Sequence, residues 1–263
     1  MVSARNPSAV VPPPQLPAVR QHRLLAVALS TASLTLVTGC TIPINWFGPR
    51  PPVAPTPKAT AWETDTRAGA KALNEGRLED AERDLQRARE RAAAGTNNDL
   101  EMAASLVNLA VLRRAQGDAA GALELQQEAL ALREKALGPD HPDVAASLNS
   151  IAALDSSRED FAAAEPLLTR ALAIREHALG RENRYTAQSL NNLALLYAAQ
   201  GRYADAEPLY QRSVAILEKQ QHPDDLATVL ENYAALLADA GRGDEAKQMD
   251  TRARAIRATL SGT

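Results

Sequence analysis

Residues Ala129–Gly138 read ALALREKALG, and residues Ala171–Gly180 read ALAIREHALG; eight of the ten positions match, at an offset of 42 residues. Self-similarity at a fixed period of about 20–50 residues marks a stacked repeat array. Outside the two strings the match continues. SLVNLAVLRRAQGDAAGALELQQEAL begins at Ser105, SLNSIAALDSSREDFAAAEPLLTRAL at Ser147 and SLNNLALLYAAQGRYADAEPLYQRSV at Ser189. VLENYAALLADAGRGDEA, from Val229, is a shorter copy, and RAGAKALNEGRLEDAERDLQRA, from Arg67, a weaker one. One alanine recurs as Ala81, Ala122, Ala164, Ala206 and Ala246, at intervals of 41, 42, 42 and 40. Five units at nearly constant spacing direct the search for function to a surface rather than to a catalytic centre.

Each unit reads as two helices. In the fourth, Leu190, Leu193, Ala194, Leu196 and Tyr197 fall at i, i+3, i+4, i+6 and i+7, one stripe of a helix with 3.6 residues per turn. Gln200-Gly201 ends the stripe, because glycine accepts the left-handed backbone that closes a helix. A second stripe follows at Ala206, Leu209, Tyr210, Ser213 and Ile216. The recurring alanine implies a close crossing of the two helices. A pair cannot bury both stripes by itself, so neighbouring pairs must stack.

The Gly201 turn, the aromatic Tyr203, the small Ala206 and the bulky Tyr210 resemble the tetratricopeptide repeat (TPR). The period and the strings LREKALGPDHPDVAASLN and SLNNLALLYAAQGRYADAEPLY are most similar to the kinesin-light-chain class of that repeat. The resemblance covers roughly residues 60–259 and implies an all-α solenoid, with about five helix-turn-helix repeats in a right-handed superhelix. Two departures stand out: Glu159 occupies a turn-glycine position, and Gly243 replaces the turn aromatic. Such repeats occur widely outside motor proteins, so the resemblance implies a fold and a binding mode rather than a motor partner.

That binding mode puts the first helix of each pair on the concave side. It directs Asn108, Val111 and Arg114, Asn149, Ser150 and Ala153, Asn191, Asn192 and Leu195, and Glu231, Asn232 and Ala235 toward the groove. Asparagine recurs at one register, Asn108, Asn192 and Asn232, with Ser150 between them. Helix interiors disfavour asparagine slightly, so its recurrence needs a reason. An amide carries both donor and acceptor, and it can either hold a partner's backbone or bond between adjacent helices of the stack. The expected partner-binding set is Asn108, Arg114, Asn149, Asn191, Asn192, Leu195, Glu231 and Asn232.

The loops between units carry a repeated signal, Asp140-His141-Pro142-Asp143 and Gln221-His222-Pro223-Asp224. Asp140 is placed to cap a helix, Pro142 suits its first turn, and Asp143 suits the positive end of its dipole. His141 and His222 beside aspartates also resemble metal ligands, but a repeated helix start accounts for both. His177 aligns with Lys135 and reads as a solvated residue.

At the N-terminus, Arg20, His22 and Arg23 precede an apolar run from Leu24 to Val37 that ends Val37-Thr38-Gly39-Cys40. A basic flank and an apolar stretch of about 14 residues form a secretory signal too short to span a bilayer. The VTGC ending resembles the bacterial lipobox, which implies that Cys40 is lipidated and begins the mature chain. Met1–Arg20 is long for a basic flank and holds Pro12, Pro13, Pro14 and Pro17; a start codon assigned too early would also produce it. Cys40 is the only cysteine, so no internal disulfide can form. By the same resemblance, Thr41 rather than aspartate after the cysteine favours the outer membrane, facing the periplasm. Six prolines between Pro43 and Pro57 favour an extended tether, able to reach roughly 55 Å. Trp46 and Phe47 either rest at the lipid interface or stand exposed in that tether. The expected organisation is a signal over 1–39, a lipidated cysteine and tether over 40–59 and a repeat domain over 60–263.

Loss of residues 1–39 removes Arg5, Arg20 and Arg23 and no acid, taking the net charge from −3 to −6. An acidic chain without a basic cluster argues against nucleic acid. Aromatics make up 3% of the residues, which suits a helical stack of alanine and leucine. No phosphate loop, GxSxG elbow, HExxH or cysteine pair is present, and nothing calls for a cofactor. Charges such as Glu79 and Arg83, or Asp84 and Arg87, sit at i+4 or i+3 and read as solvated helix faces. The chain is thus expected to be a lipid-anchored scaffold or adaptor, not an enzyme, holding a protein or peptide. The alternative is a pilotin-like lipoprotein assisting a secretin or pilus.

Overall fold

A computed structural model of the chain describes residues 60–95 and 98–261. The proposed signal, lipidated Cys40 and tether lie outside the described residues. Within them the chain forms ten helices. These are α1 (Ala61–Asn74), α2 (Leu78–Ala94), α3 (Asp99–Ala115), α4 (Ala119–Leu137) and α5 (Pro142–Ser157), then α6 (Phe161–Leu179), α7 (Arg184–Ala199), α8 (Tyr203–Gln220), α9 (Pro223–Asp239) and α10 (Gly243–Ser261). They pair as five hairpins, each packed on the next, in the all-α solenoid that the spacing predicts. None is long and apolar enough to cross a membrane.

Local chemistry sets the helix ends. Thr60 and Glu63 form a reciprocal capping box at the start of α1, with Thr60 Oγ1 accepting from Glu63 N at 3.1 Å. Asp118 and Asp160 cap α4 and α6 by accepting from Gly121 N at 2.8 Å and Ala163 N at 3.1 Å. Asp140 does not cap α5: that place belongs to His141, whose Nδ1 accepts from Asp143 N at 3.1 Å. Pro142 leaves no N–H at the first helical position, so the first donor in need of a partner is that of Asp143. Glu159 takes the left-handed conformation, φ 61°, that Gly76, Gly117, Gly201 and Gly241 take at the turns inside the other four hairpins.

The hairpins close on small residues. Ala81, Ala122, Ala164 and Ala206 are fully buried, and the last three share a core cluster with a second small residue, Ala110, Ala152 and Ala194 in turn. In the first hairpin the equivalent place is Gly69, where a Cβ would come within 2.6 Å of the Leu85 side chain.

Between hairpins, three kinds of tie recur one repeat apart. Arg133 Nη1 donates to Ser147 Oγ at 2.6 Å, and Arg175 Nη1 donates to Ser189 Oγ at 3.1 Å and to Tyr185 O at 2.8 Å. Each arginine leaves the second helix of one repeat and reaches the first helix of the next. At the following junction both partners turn apolar together, as buried Leu217 and Val229 in one cluster. Along the second helices, Arg170, Arg212 and Arg252 pair with Glu134, Glu176 and Glu218 of the preceding repeat. At the turns, Arg202 Nη1 bonds Glu165 at 2.9 Å and Arg242 Nη1 bonds Glu207 at 2.7 Å, joined by the hydroxyls of Tyr197 and Tyr233. The exposed pairs are screened by solvent and add little, so apolar burial carries most of the stacking and the ties set its register.

Two sites test this account. Tyr210 is fully buried against the ring of Tyr233, with centroids 5.6 Å apart, and its hydroxyl has no partner among the described residues. Burial raises that phenol above its usual range, so it stays protonated and unsatisfied. Tyr210→Phe is expected to be neutral or to stabilise by about 1 kcal/mol, read from the melting temperature, because an unpaired polar atom is removed. At the Arg175 junction, Ser189→Val alone leaves a buried guanidinium short of an acceptor and should cost about 1.5–3 kcal/mol. Adding Arg175→Leu recreates the Leu217 and Val229 pairing and should recover most of that loss. Chemical denaturation of the two singles and the double measures the coupling.

Candidate protein-interaction groove

The first helices form the inner wall of the stack. Cα atoms of α1 and α3, of α5 and α7, and of α7 and α9 come within 8 Å of one another, whereas no two second helices of adjacent repeats do. The odd-numbered helices therefore crowd one side while the even-numbered helices fan apart on the other. A groove along this stack is lined by residues that point away from both the hairpin core and the junctions.

The asparagines expected there are largely committed to one another. Asn232 Nδ2 donates to Asn191 Oδ1 of the preceding repeat at 3.0 Å, and Asn192 Nδ2 donates to Asn149 Oδ1 at 3.4 Å. Asn191 Nδ2 reaches Asn192 Oδ1 at 3.3 Å, and Asn149 Nδ2 reaches Ser189 Oγ at 3.4 Å. Since Ser189 also accepts from Arg175, a polar chain runs from α6 through α5 and α7 to α9. Asn149, Asn191 and Asn232 are 9%, 8% and 1% exposed, while Asn192 is half-buried. Of the two roles open to these amides, inter-repeat bonding is the one this geometry displays. The rule is that the later asparagine register donates to the earlier register of the repeat before. At the end of the chain of amides, Glu231 stands where a donating asparagine would be needed, and Asn232 Oδ1 is left buried without a partner.

The remaining expected residues lie apart. Asn108 is half-buried on α3, and no hydrogen bond joins its amide to another described residue. Arg114 is exposed near the end of the same helix and forms no ion pair among the described residues. Leu195 is half-buried against the core of the fourth and fifth repeats. Glu231 is engaged by Arg257 of α10, whose Nε lies 3.1 Å from Oε1 and whose Nη2 donates to Thr228 Oγ1 at 2.8 Å. Asn149, Asn191, Asn192 and Asn232 thus form one hydrogen-bonded group, with Glu231 beside it, and Asn108 and Arg114 stand across a repeat junction from it.

Several residues that shape this face escape a motif search. Arg175 is buried with no carboxylate in ion-pair range among the described residues, and desolvation pulls its guanidinium down to about 10. Arg133 is shifted down by the same cause. Tyr185 is an exposed aromatic on the rim at 45% of its surface, with the guanidiniums of Arg175 and Arg184 5.7 Å and 5.3 Å from its ring centre. The signal for the arginines was present in the opening strings, where Arg133 and Arg175 match, and the serine that starts the three central units was visible as well. Among the described residues no group of His, Cys, Asp and Glu is arranged to hold a metal. The face offers neutral amides, a few arginines and small apolar side chains.

Comparison with known proteins agrees with this geometry. A family model described as tetratricopeptide repeat matches residues 101–177 and again 156–219. No curated protein sequence matches the chain. Among solved structures, BtubC (BKLC) from P. vanneervenii is similar at 25% identity with a TM-score of 0.68, over 76% of this chain and 81% of that one. A Podosopora anserina protein, described as a kinesin light chain with nearly identical TPR-like repeats, aligns at 24% identity and a TM-score of 0.62. That alignment covers 76% of this chain and 96% of the other. Aspartyl phosphate phosphatase F from Bacillus subtilis shares the fold at 13% identity and a TM-score of 0.67, over 76% of this chain and 51% of that one. Five stacked hairpins, small residues at their crossings and these likenesses lead to one conclusion: residues 101–219 match the tetratricopeptide repeat, and the whole stack is similar in structure to the repeats of kinesin-light-chain-like proteins.

Proposed function

We propose that the chain is a lipid-anchored scaffold of the bacterial envelope that holds a protein or peptide segment along the inner wall of its solenoid. The observation that carries the reading is the crowding of first helices on one side, at three of their four neighbouring pairs, which suits a concave surface of the kind repeat proteins use for binding. Tetratricopeptide-repeat proteins are in general non-catalytic interaction scaffolds, and the face described here has the matching chemistry. On it, Arg114, Asn108, Asn192 and Leu195 keep surface open to a partner. Asn149, Asn191 and Asn232 shape the wall from behind, and Glu231 is reached through Arg257.

The anchor rests on Cys40 and the sequence before it. Acylation at a mature N-terminal cysteine would hold the domain at the membrane through several chains, where one alone gives marginal binding. Thr41 favours the outer membrane and a domain facing the periplasm.

Two experiments test these proposals. Cys40→Ser should shift the protein out of the membrane fraction or leave its signal uncleaved; a wild-type chain found soluble with an intact N-terminus would remove the anchor from the account. For the groove, Arg114→Ala is expected to leave the melting temperature unchanged and to weaken capture of a co-purifying envelope protein. Asn192→Ala with Asn232→Ala removes two inter-repeat bonds, at about 0.5–1.5 kcal/mol each, and should lower the melting temperature. Capture that survives Arg114→Ala, and that the folded fraction of the double variant retains in full, would move the binding site off this wall.

A further inference from the structure

The ties that join successive repeats are missing on two of three sides at one place, the junction between the second and third repeats. On the inner wall, no Cα of α3 comes within 8 Å of one of α5, although the other neighbouring first helices do approach that closely. Where neighbouring first helices approach, a side-chain bond joins them: Trp62 Nε1 donates to Ser105 Oγ at 2.9 Å at the first-to-second junction, and an amide rung serves the third-to-fourth and fourth-to-fifth. Among the described residues the second-to-third junction has neither. A rung needs an acceptor at the earlier register and an asparagine at the later one, and here these are Val107 and Ser150. Valine accepts nothing, and Ser150 Oγ donates back to the carbonyl of Ala146 on its own helix at 3.1 Å. On the turn side, Leu123 holds the place of Glu82, Glu165 and Glu207, and Asp160 holds that of Arg202 and Arg242. Leu123 packs with the cluster of Ala110, Ala122 and Leu154 instead of accepting an ion pair. Only the loop side keeps directional bonds: Arg133 to Ser147, and Arg170 to Glu134 and to the carbonyl of Pro139 at 3.1 Å.

We infer that this junction is a built-in hinge, about which repeats one and two turn as a unit against repeats three to five. Apolar contact persists across it, so the stack does not separate; but apolar burial is non-directional and permits sliding where hydrogen bonds would not. The loop-side arginines place the axis at that edge, so the motion opens and closes the inner wall between α3 and α5. The junctions on either side are fixed on the turn side, by Arg113 and Gln116 to Glu82 in one case and by Arg202 to Glu165 in the other. The hinge therefore divides Asn108 and Arg114 from the amide group of α5, α7 and α9, and its angle sets the distance between the two parts of the groove.

Ala120, Ala162 and Ala204 are exposed and equivalent by repeat, 42 residues apart, at the turn-side starts of α4, α6 and α8, away from the axis, which makes them matched label sites. In the full chain with Cys40→Ser as background, spin labels at Ala120→Cys and Ala162→Cys report the second-to-third junction. Labels at Ala162→Cys and Ala204→Cys report the third-to-fourth. The first pair should give a distance distribution about twofold broader than the second. Val107→Asn with Ser150→Asn supplies the missing rung and should narrow the first distribution while leaving the second unchanged. Should that variant fail to fold by circular dichroism, Leu123→Glu with Asp160→Arg installs the turn-side pair and should narrow it in the same way. Equal widths in the parent chain overturn the hinge. So does a broad first distribution that neither folded variant narrows.

Discussion

No hairpin of this chain can cover its own apolar faces, and everything else in the structure depends on that constraint. Two helices meeting at an alanine bury one stripe between them and leave the outer stripes open. The next hairpin must cover what is left, so stability resides at junctions rather than in units. The core accordingly divides into a row of clusters, each spanning neighbouring helices, and no central core forms.

Because each junction answers only to its two neighbours, its polar chemistry can change locally without disturbing the rest. The register that holds Arg133 and Ser147, then Arg175 and Ser189, becomes Leu217 and Val229 one repeat later. Both partners change at once, which avoids the cost of leaving either a buried guanidinium or a buried hydroxyl alone. At the same register Arg257 turns back onto Glu231 of its own repeat, and buried Ala92 holds the place in the first repeat. A single physical requirement, that a buried polar group find a partner, accounts for the changes of side chain at this one position.

The fold was legible because a repeat states its own period. Ala81, Ala122, Ala164 and Ala206 mark the crossings directly, and the Asp-His-Pro and Gly signals mark the helix ends closely enough. The groove was legible only in part. That asparagine recurs on the first helices can be read from the strings, but the partner of each amide lies about 40 residues away and one register earlier, which one helix's periodicity cannot show. Asn191 and Asn192 look alike as neighbours, yet one accepts from the following repeat and the other donates to the preceding one. Arg175 was hidden for a related reason. In a string such as ALAIREHALG it looks like one more solvated helix charge, and only the stacking of α6 on α7 buries it.

An array of near-copies carries a danger in folding, since a helix that fits its neighbour will also nearly fit the neighbour of a different repeat, within one chain or between two. The unequal junctions work against such exchange. If α6 were to stack on α9 in place of α7, the guanidinium of Arg175 would meet Val229 instead of Ser189 and would lose its hydroxyl acceptor. If α8 were to stack on α7, Leu217 would cover the Ser189 hydroxyl. Each junction thus acts as an address, accepting the hairpin that belongs there and penalising the copies that resemble it.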